Sequence, residues 1–407
     1  MHGSSKSQVL PDPATAERSI GQNLPGFPIE SLPLSQCAGR VLRESIFAER
    51  DQPPFDRVTM DGIAVAAGSE RGPRDFLVQG MQAAGSPPLS LQSRGHCIEI
   101  MTGASLPQGC NCVVPYERID LVVGRANLHS DVELAPWQNV HRRASDCAQG
   151  ALLLAPGSHL KAPQISIAAA AGRARLEVTG EPSIMVVSTG DELVEAGAPM
   201  APHQIRRSNV YAMCAALRQH GFTRVFETHV PDDEAAIYET LKRHLSTHEV
   251  LLLSGGVSMG RRDLVPGVLE RLGVRTVLHG VAQRPGKPLW FGTTPDRRAV
   301  FGLPGNPVST LVCLVRYVLP ALNAAMGRQH EPAERIALGT PVTWNIPLTS
   351  YLPVRLHRDD ERSFCAFPQP TNTSGDFTAL ALTDGFVELP PGPVRFDAGH
   401  VVPLYRW

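Results

Sequence analysis

The sequence lacks a net charge of either sign, because 38 Lys and Arg residues offset 39 Asp and Glu residues and leave a formal charge of −1. A chain without an overall electrostatic field has no general attraction for nucleic acid or for an anionic membrane. We therefore expect neither as a partner. Any anion that the protein binds should be held by a local site.

The sequence also lacks the cysteine and histidine spacings of metal sites. Its eight Cys residues are scattered, and the closest pair, Cys110 and Cys112, has no two-residue spacer of the kind found in zinc knuckles and thioredoxin-type motifs. None of the 14 His residues shows the spacing of a metal-binding motif. We interpret the cysteines as buried, reduced thiols and assign no histidine to a metal.

Long hydrophobic runs are missing as well. No apolar run reaches the roughly 18 residues that a membrane span needs, because the best candidates are interrupted by Gly172 and Arg316. The first residues have no apolar core of the kind found in secretion signals. Together with reduced cysteines, these patterns predict a cytoplasmic protein without a membrane partner.

What the sequence does contain is a pattern that changes along its 407 residues, which are enough for several domains of roughly 100 to 200 residues each. The composition of residues 1–26 predicts a mobile tail with room for one short helix. From Ile29 to Val178, short apolar runs separated by Gly and Pro predict a β-rich region. After Pro332, similar runs predict a small C-terminal β domain.

In the central segment, short buried strands alternate with amphipathic or apolar helices. The predicted elements are strands at 184–187, 224–226, 250–253 and 300–301, and helices at 208–220, from Asp232 or Asp233 to about 245, and at 308–326. Alternation of this kind predicts a doubly wound parallel α/β sheet. Such sheets bind their ligands at the carboxyl ends of the strands.

Two carboxylates follow the first predicted strand of this sheet, in Ser188-Thr189-Gly190-Asp191-Glu192. Paired carboxylates at this edge could hold a hard cation such as Mg²⁺, which prefers oxygen ligands. The alternative is a helix N-cap followed by an acid in the first turn. The residues alone leave both interpretations open.

A glycine-rich run from Ser254 to Asp263 follows the third predicted strand and precedes a helix. Its glycines allow the backbone to approach a ligand closely, and N–H groups at a helix start favour phosphate or another oxyanion. The run is neither a Walker A motif nor a dinucleotide fingerprint. A plain strand-to-helix turn is the alternative.

Two rigid turns further along are also candidates for anion binding. Arg284-Pro285-Gly286-Lys287-Pro288 holds two cations on a stiff turn, which favours an oxyanion between them over an ordinary solvated surface turn. The run from Gly302 to Ser309 contains two prolines and two glycines and leads into a helix N-terminus. Both turns lie in the segment that predicts the α/β sheet.

Seven motifs occur in order along the chain. They are Pro-Pro-Phe-Asp…Met-Asp-Gly at 53–62, Met-Thr-Gly-Ala at 101–104, Ser-Thr-Gly-Asp-Glu-Leu at 188–193, Ser-Asn-x-Tyr at 208–211, Ser-Gly-Gly-Val-Ser-x-Gly-x-x-Asp at 254–263, Pro-Gly-Lys-Pro at 285–288 and Gly-Leu-Pro-Gly-Asn-Pro-Val-Ser at 302–309. Together they resemble the molybdopterin molybdenumtransferase family, called MoeA in bacteria and represented in animals by the C-terminal domain of gephyrin. The resemblance spans nearly the whole chain.

The resemblance implies a multidomain α/β plus β fold. An elongated linker domain would be built from residues 27–50 and 140–180, with a β domain inserted at 51–139. A molybdopterin-binding α/β domain would span 181–328, and a C-terminal β-barrel domain 329–407. The implied protein is a homodimer, whose active site lies between the α/β domain of one subunit and the β domains of the other.

The implied reaction converts adenylylated molybdopterin plus molybdate to molybdenum cofactor plus AMP, with Mg²⁺. The molybdopterin adenylyltransferase and molybdoenzymes would be its protein partners. The residues implied in catalysis are Asp191, Glu192, Asp263, Lys287, Asp61 and Asp146, of which the first three would bind the metal. Those implied in binding pterin, phosphate or molybdate are Gly255, Gly256, Ser258, Thr102, Arg284, Pro304, Pro307, Arg355 and Ser374. The partner subunit would supply Asp61, Thr102, Asp146, Arg355 and Ser374.

The chain departs from the family pattern mainly in this partner-supplied wall. Arg57-Val58-Thr59 stands where Asn-Ser-Ala is usual, and Glu99 stands in place of an Arg. The stretch that is commonly Val-Arg-x-x-Gly-Glu-Asp is Val140-His141-Arg142-Arg143-Ala144-Ser145-Asp146. Arg206-Arg207 replaces a neutral or acidic pair, and Arg284 replaces a Lys, which exchanges a point charge for a planar fork. These changes motivate a second hypothesis, a divergent paralogue that carries the pterin without performing the insertion.

Overall fold

The computed structural model describes residues 9–68, 72–257, 263–328, 331–358, 364–369, 371 and 373–407. Within these ranges the chain forms three six-stranded sheets and several two-stranded ladders. One sheet belongs to the inserted β unit, one to the central α/β unit and one to the C-terminal barrel. The multidomain α/β plus β fold expected from the sequence is confirmed.

A helix at Pro13–Asn23 packs against the central core, so a mobile tail over residues 1–26 is wrong for this part of the chain. Asp12 caps the helix, because its carboxylate accepts the Thr15 N–H at 2.6 Å. Ala16 and Ile20, one helical turn apart, are fully buried. The Ser-, Pro- and Gly-rich surroundings conceal this short apolar stripe in the sequence.

The elongated unit combines two separate stretches of chain through antiparallel strands. Its ladders pair Ile29–Pro33 with Arg175–Thr179 and Ile46–Phe47 with Leu152–Leu154. A short 3₁₀ turn at Leu34–Gln36 and a helix at Ala162–Ala170 complete it. The side chains between these elements form their own small apolar core.

The inserted β unit is a mixed six-stranded sheet. In chain order its strands are Gly62–Val65, Asp75–Gln82, His96–Ile100, Cys112–Pro115, Ile119–Val122 and Arg125–Leu128. A 3₁₀ turn at Tyr116–Arg118 and a two-stranded ladder of Arg57–Val58 with Val140–His141 flank the sheet. The apolar runs recognised in the sequence form its strands, as expected.

The central sheet contains four parallel strands, as the alternating pattern predicts, and two antiparallel strands that extend it on one side. In spatial order the strands are Val225–Val230, Ile184–Thr189, Val250–Ser254, Ala299–Leu303, Trp290–Thr293 and Arg275–His279. Helices at Ser208–Gln219, Glu234–Thr247 and Leu264–Arg271 and the ladder of Leu193–Val194 with Ile205–Arg206 accompany it. The long apolar strands lie in its interior because both faces are covered.

The last helix of this unit runs from Pro307 to Ala325 and contains a π-helical turn at Leu314–Val318. Pro320 accounts for the wider turn, because proline has no N–H to donate to the carbonyl four residues earlier. By length and composition this helix could cross a membrane, but 72% of its apolar window is buried inside the protein. Within the described ranges it is the one helix of this length and composition, and Arg316 does not interrupt it, contrary to what the sequence suggests.

The C-terminal unit is a closed five-stranded barrel. Its strands are Glu334–Leu338, Thr349–Arg358, Phe364–Pro368, Gly385–Leu389 and Val401–Arg406. Each strand pairs with two others of the set, so the ring has no open edge. Gln283–Arg284 from the central unit pairs with the start of one barrel strand, which couples the two units. A ladder of Val342–Trp344 with Val394–Phe396 and a 3₁₀ turn at Thr378–Leu382 lie outside the ring.

Candidate active site

The acidic, glycine-rich and proline-containing loops of the central unit follow strands that end at one edge of the sheet. Ser188, Ser254 and Leu303 lie side by side in register on three parallel strands. The loops that begin at these residues can therefore share one ligand. The Gly255 N–H donates to Leu303 O at 3.3 Å, which joins two of the loops directly.

The first loop carries an acidic group. The Asp191 carboxylate accepts the Asp232 backbone N–H at 3.1 Å. Partial burial of the Asp232 carboxyl, together with the negative charges of Asp191 and Glu192, raises the pKa of Asp232. Sequence reasoning treats Asp232 and Asp233 as alternatives for one helix cap, but Asp233 is the cap and accepts the Ala236 N–H at 2.8 Å. Asp232 is thus a site residue that sequence reasoning misses, although a second Asp beside the cap was a usable signal.

The glycine-rich loop approaches the acidic loop at a distance that side chains would prevent. Gly255 and Gly256 have φ angles of +93° and +65°, in the region that favours glycine. A Cβ atom on Gly256 would lie 2.9 Å from Thr189 Oγ1. That Thr189 hydroxyl is buried and has no hydrogen-bond partner among the residues described. Ser258, expected to bind the pterin phosphate, lies outside the described residues.

Asp263 is half-buried and occupies the N-cap position of the helix Leu264–Arg271. The structure does not gather it with Asp191 and Glu192 into one ligand set. Across the described ranges, no group of three or more His, Cys, Asp or Glu side chains converges in a way that could hold a metal ion. A cation at this edge would need oxygen ligands from a substrate as well.

The basic turn, residues 284–288, is anchored by buried residues. Arg284 and Lys287 are exposed, whereas Gln283 and Gly286 are buried beneath them. The Cys313 thiol donates to Gly286 O at 3.6 Å, and burial raises the pKa of this thiol. A protonated thiol is the form that can donate this hydrogen bond. The two cations are therefore held by a rigid segment, as their expected role in anion binding requires.

The loop containing Pro304 and Pro307 joins the barrel to the central sheet. Asn306 Nδ2 in this loop donates to Ser374 Oγ at 2.7 Å. Asn209 Nδ2 donates to the backbone of the same loop at 2.7 Å and to the hydroxyl of the neighbouring strand end at 3.0 Å. Asn209, which belongs to the Ser-Asn-x-Tyr motif, therefore fastens two of the site loops to each other.

The resemblance places Ser374 and Arg355 on the partner's side of the cleft, whereas within one chain Ser374 lies beside the proline-containing loop. Ser374 contacts Asn306 of its own chain, because the barrel docks on the central unit of the same subunit. Arg355 is exposed on the barrel strand Thr349–Arg358, opposite Phe367.

Two residues expected from the partner subunit, Asp61 and Thr102, contact each other in the inserted β unit. The Asp61 carboxylate accepts the backbone N–H of Thr102 at 2.6 Å and its hydroxyl at 2.8 Å. These two hydrogen bonds hold the pKa of Asp61 below its ordinary value. Asp61 is therefore a fixed, ionised acceptor at the surface.

Asp146, the third residue of this group, is linked to two of the positions that depart from the family pattern. His141 Nε2 lies 2.7 Å from Asp146 Oδ1, and His141 Nδ1 lies 3.1 Å from Arg57 Nη2. Arg57 and His141 face each other across their two-stranded ladder. Two departures that are far apart in the sequence are thus direct neighbours.

The remaining departures are accommodated by local contacts. Tyr116 donates its hydroxyl to Glu99 at 3.1 Å, and burial together with this carboxylate raises the pKa of Tyr116 to about 12. Arg207 is buried and forms ion pairs with Glu195 and Glu227. Both substitutions have partners in the same chain, and Arg207 also donates from Nε to Ser188 Oγ at 3.2 Å, so it contacts the strand end at the site edge.

Known proteins resemble the chain over its whole length. Three family models match consecutive parts: the MoeA N-terminal region (domain I and II) at residues 13–172, a probable molybdopterin binding domain at 185–324 and the MoeA C-terminal region (domain IV) at 335–407. A molybdopterin molybdenumtransferase of Synechocystis sp. is 40% identical over 396 residues, which cover 97% of this chain and 99% of the relative. A protein of the same name from Synechococcus elongatus is 36% identical and covers 75% of this chain and 77% of its own.

Solved structures show the same likeness. A structure of the MoeA protein of molybdopterin biosynthesis from Pyrococcus horikoshii superposes with a TM-score of 0.80 at 30% identity and covers 98% of this chain and 99% of its own. Another structure, of a moeA protein of molybdopterin biosynthesis from Pyrococcus horikoshii OT3, has a TM-score of 0.81 at 24% identity, covers 98% and 100% of the two chains, and supports the fold alone.

Proposed function

Because this chain belongs to the molybdopterin molybdenumtransferase family, known in bacteria as MoeA, we propose the following division of roles within its site. The protein is a transferase that inserts molybdenum during molybdenum cofactor biosynthesis. The observation that carries the proposal is the convergence of the acidic, glycine-rich and proline-containing loops at one edge of the central sheet. Molybdopterin and molybdate are the substrates that these loops would receive.

The glycine-rich loop would hold the pterin phosphate of adenylylated molybdopterin. Gly255 and Gly256 leave the backbone open beside the buried hydroxyl of Thr189, which has no partner within the described residues and can donate to a phosphate oxygen. Arg284 and Lys287 would bind molybdate, with Pro304 and Pro307 shaping the loop beside them and Asn306 and Ser374 adding polar groups. The reaction would then release AMP and the molybdenum cofactor.

We propose that Mg²⁺ binds at Asp191 and Glu192 together with a phosphate of the substrate. Mg²⁺ is usually held by one or two carboxylates, substrate phosphates and water, so two protein carboxylates fit it. The like charges that raise the pKa of Asp232 favour a cation at this place. Such an ion offsets the charge that develops as a phosphoanhydride is cleaved. Asp263, at the start of its helix, would contribute a further carboxylate that acts on the cation and the phosphoanhydride.

We further propose a cytoplasmic homodimer, in which the inserted β unit of one subunit faces the central sheet of the other. Asp61 and Thr102 then serve a site in the partner subunit, as does Asp146. Exposed apolar side chains beside them, Phe55 and Met60, are 40% and 41% exposed in the single chain, which supports an interface here. The molybdopterin adenylyltransferase is the enzyme class that must supply the adenylylated substrate.

The experiment that tests the proposal is release of AMP from adenylylated molybdopterin on addition of molybdate, with and without Mg²⁺. Pterin binding, followed by fluorescence, is measured in parallel. We expect release that depends on both ions. Binding without release would instead identify a carrier, the second hypothesis, which the names of the relatives do not favour. An Asp263→Ala variant that folds normally but retains full AMP release would remove Asp263 from the mechanism.

A further inference from the structure

Arg57 lies in the middle of a strip in which residues 57–58 pair with 140–141 on one side and form an isolated bridge with Ser105, after the turn at 102–103, on the other. It faces His141 on one side and Ser105 on the other, both in antiparallel pairing. The Val58 N–H donates to Ala104 O at 3.0 Å, which ties the second side together. Directly opposed residues of antiparallel strands project from the same face. Arg57, His141 and Ser105 therefore share one face of the strip, and the hydroxyl of Ser105 is buried without a partner in the ranges described.

Four carboxylates of this region, those of Asp51, Asp56, Asp61 and Asp146, each accept a hydrogen bond from a donor other than Arg57. Asp51 accepts the Arg143 side chain at 2.6 Å, and Asp56 accepts the Arg143 N–H at 2.9 Å. The carboxylate of Asp61 is occupied by Thr102 and that of Asp146 by His141. Among the described residues Arg57 therefore forms no ion pair, and its exposed positive charge is not neutralised within the chain.

The contact with His141 orients Arg57 without cancelling its charge. A guanidinium can only donate hydrogen bonds, so Nδ1 of His141, 3.1 Å from Arg57 Nη2, must be the accepting, unprotonated nitrogen. The proton then resides on Nε2, which donates to Asp146 Oδ1 at 2.7 Å. Asp146 thus selects the tautomer of His141, and the neutral imidazole holds one N–H of Arg57. The other N–H groups of Arg57 stay available to a ligand.

We infer that Arg57 is an additional oxyanion-binding residue of the cleft shared between subunits, and that His141 is its positioning residue. The inference rests on the proposed function, because the same strip carries the Asp61 and Thr102 pair assigned to that cleft. A planar guanidinium fork matches two oxygens of a tetrahedral oxyanion. Two substrate groups have this chemistry, molybdate itself and the phosphate of the adenylyl group.

The test compares Arg57→Gln with Arg94→Gln, a control that removes an exposed arginine elsewhere in the inserted β unit. Binding of sodium molybdate and of AMP to the full-length protein is measured by titration calorimetry, and the KM for each substrate is measured in turnover. We expect Arg57→Gln to weaken binding of one of the two anions by about tenfold, which corresponds to one charge-assisted hydrogen bond, while Arg94→Gln binds like the wild type. The anion that is affected identifies the ligand of Arg57.

The role of His141 is tested with two variants. His141→Gln retains one acceptor and one donor and should bind the same anion nearly as well as the wild type. His141→Leu retains neither group and should weaken that binding, but it should add nothing in the Arg57→Gln background because it acts through Arg57. An additive loss in the double variant would show that His141 has a merely structural role.

The inference is overturned if the Arg57→Gln variant binds both anions as tightly as the wild type, whatever its rate of AMP release. Loss of anion binding in Arg57→Gln, with a wild type that releases no AMP, would support the anion site and refute the insertion reaction. The equilibrium titrations and the turnover assay therefore separate the failure of this inference from the failure of the proposed function.

Discussion

Substituting Gly286 by alanine tests whether the basic turn, residues 284–288, is held in place by the packing of Gly286 against Cys313 and Gln283. Gly286 has a φ of +92°, and a Cβ atom there would lie 2.6 Å from Cys313 Sγ and 2.6 Å from Gln283 Nε2. Neither neighbour can move away easily. Gln283 is completely buried and hydrogen-bonded to Tyr317, and Cys313 is completely buried in the helix.

Two effects add up in Gly286→Ala. The left-handed backbone costs a residue with a Cβ roughly 1–2 kcal/mol, and overpacking a rigid core costs about 1–3 kcal/mol more. We therefore expect the free energy of unfolding of the central unit to fall by about 2–5 kcal/mol. Because Arg284 and Lys287 belong to this turn, a shift of its backbone displaces both cations, and kcat/KM for molybdate should fall by more than about tenfold.

Gly273 offers a matched control for this experiment. Its φ is +80°, but no atom lies within 4 Å of the position that a Cβ would take. Gly273→Ala should therefore show only the backbone contribution, about 1–2 kcal/mol, and normal turnover. Thermal unfolding and molybdate-dependent AMP release are measured for both variants and for Gly286→Ala combined with Cys313→Ala, which removes one clash. Equal stability losses in the two single variants would refute the packing argument.

Three further predictions concern other parts of the chain. Arg316 is 5% exposed and forms an ion pair with Glu388 at 2.9 Å, so Arg316→Met should lower the free energy of unfolding, measured in urea, by about 3–5 kcal/mol. Adding Glu388→Gln should recover part of this loss, because it removes the unpaired charge. No recovery would contradict the importance of the ion pair. Ala144 has a φ of +61°, a backbone conformation that glycine adopts without strain. Ala144→Gly should therefore raise the free energy of unfolding by about 0.5 kcal/mol, because the strain relieved exceeds the extra backbone entropy of glycine in the unfolded chain. A lower melting temperature would count against this account. The hydrogen bonds from Thr102 lower the pKa of Asp61, so their contact stabilises the protein at pH values above the pKa of an unfolded Asp, and this stabilisation is lost as the pH falls through the lowered pKa of Asp61. Thr102→Val should raise the pKa of Asp61 measured by NMR titration. An unchanged titration midpoint would argue against the hydrogen bond from the Thr102 hydroxyl.

The elements that sequence reasoning locates well are those with strong periodicity or long apolar runs. The helix expected at 208–220 is found at Ser208–Gln219, and the strand expected at 250–253 is found at Val250–Ser254. The strand is buried throughout and the helix buries one face, so tertiary packing reinforces their local preference. The alternation of such elements is sufficient to predict the parallel part of the sheet.

The elements that sequence reasoning misses are short strands, of which one is partly exposed and one is buried throughout. Arg275–His279 and Trp290–Thr293 extend the sheet in antiparallel fashion, and the first begins with two exposed residues. Such strands are defined by their partners rather than by a hydrophobic pattern, so they cannot be distinguished from loops in advance. The same is true of Gln283–Arg284, whose pairing with the barrel is a contact between units that are distant in the sequence.

The candidate site follows the same division. Asp191 and Gly255 lie in loops whose place at the sheet edge follows from the strand pattern alone, whereas Lys287 precedes Trp290–Thr293, a strand that the pattern misses. The connection of Arg57 to Asp146 could not be foreseen, because it depends on the register that sets His141 opposite Arg57. Taken one at a time, these substitutions look like losses from a site. Seen together in the strip, they form one hydrogen-bonded chain from Asp146 through His141 to Arg57, whose guanidinium has no ion-pair partner among the described residues; we infer a different site rather than a damaged one.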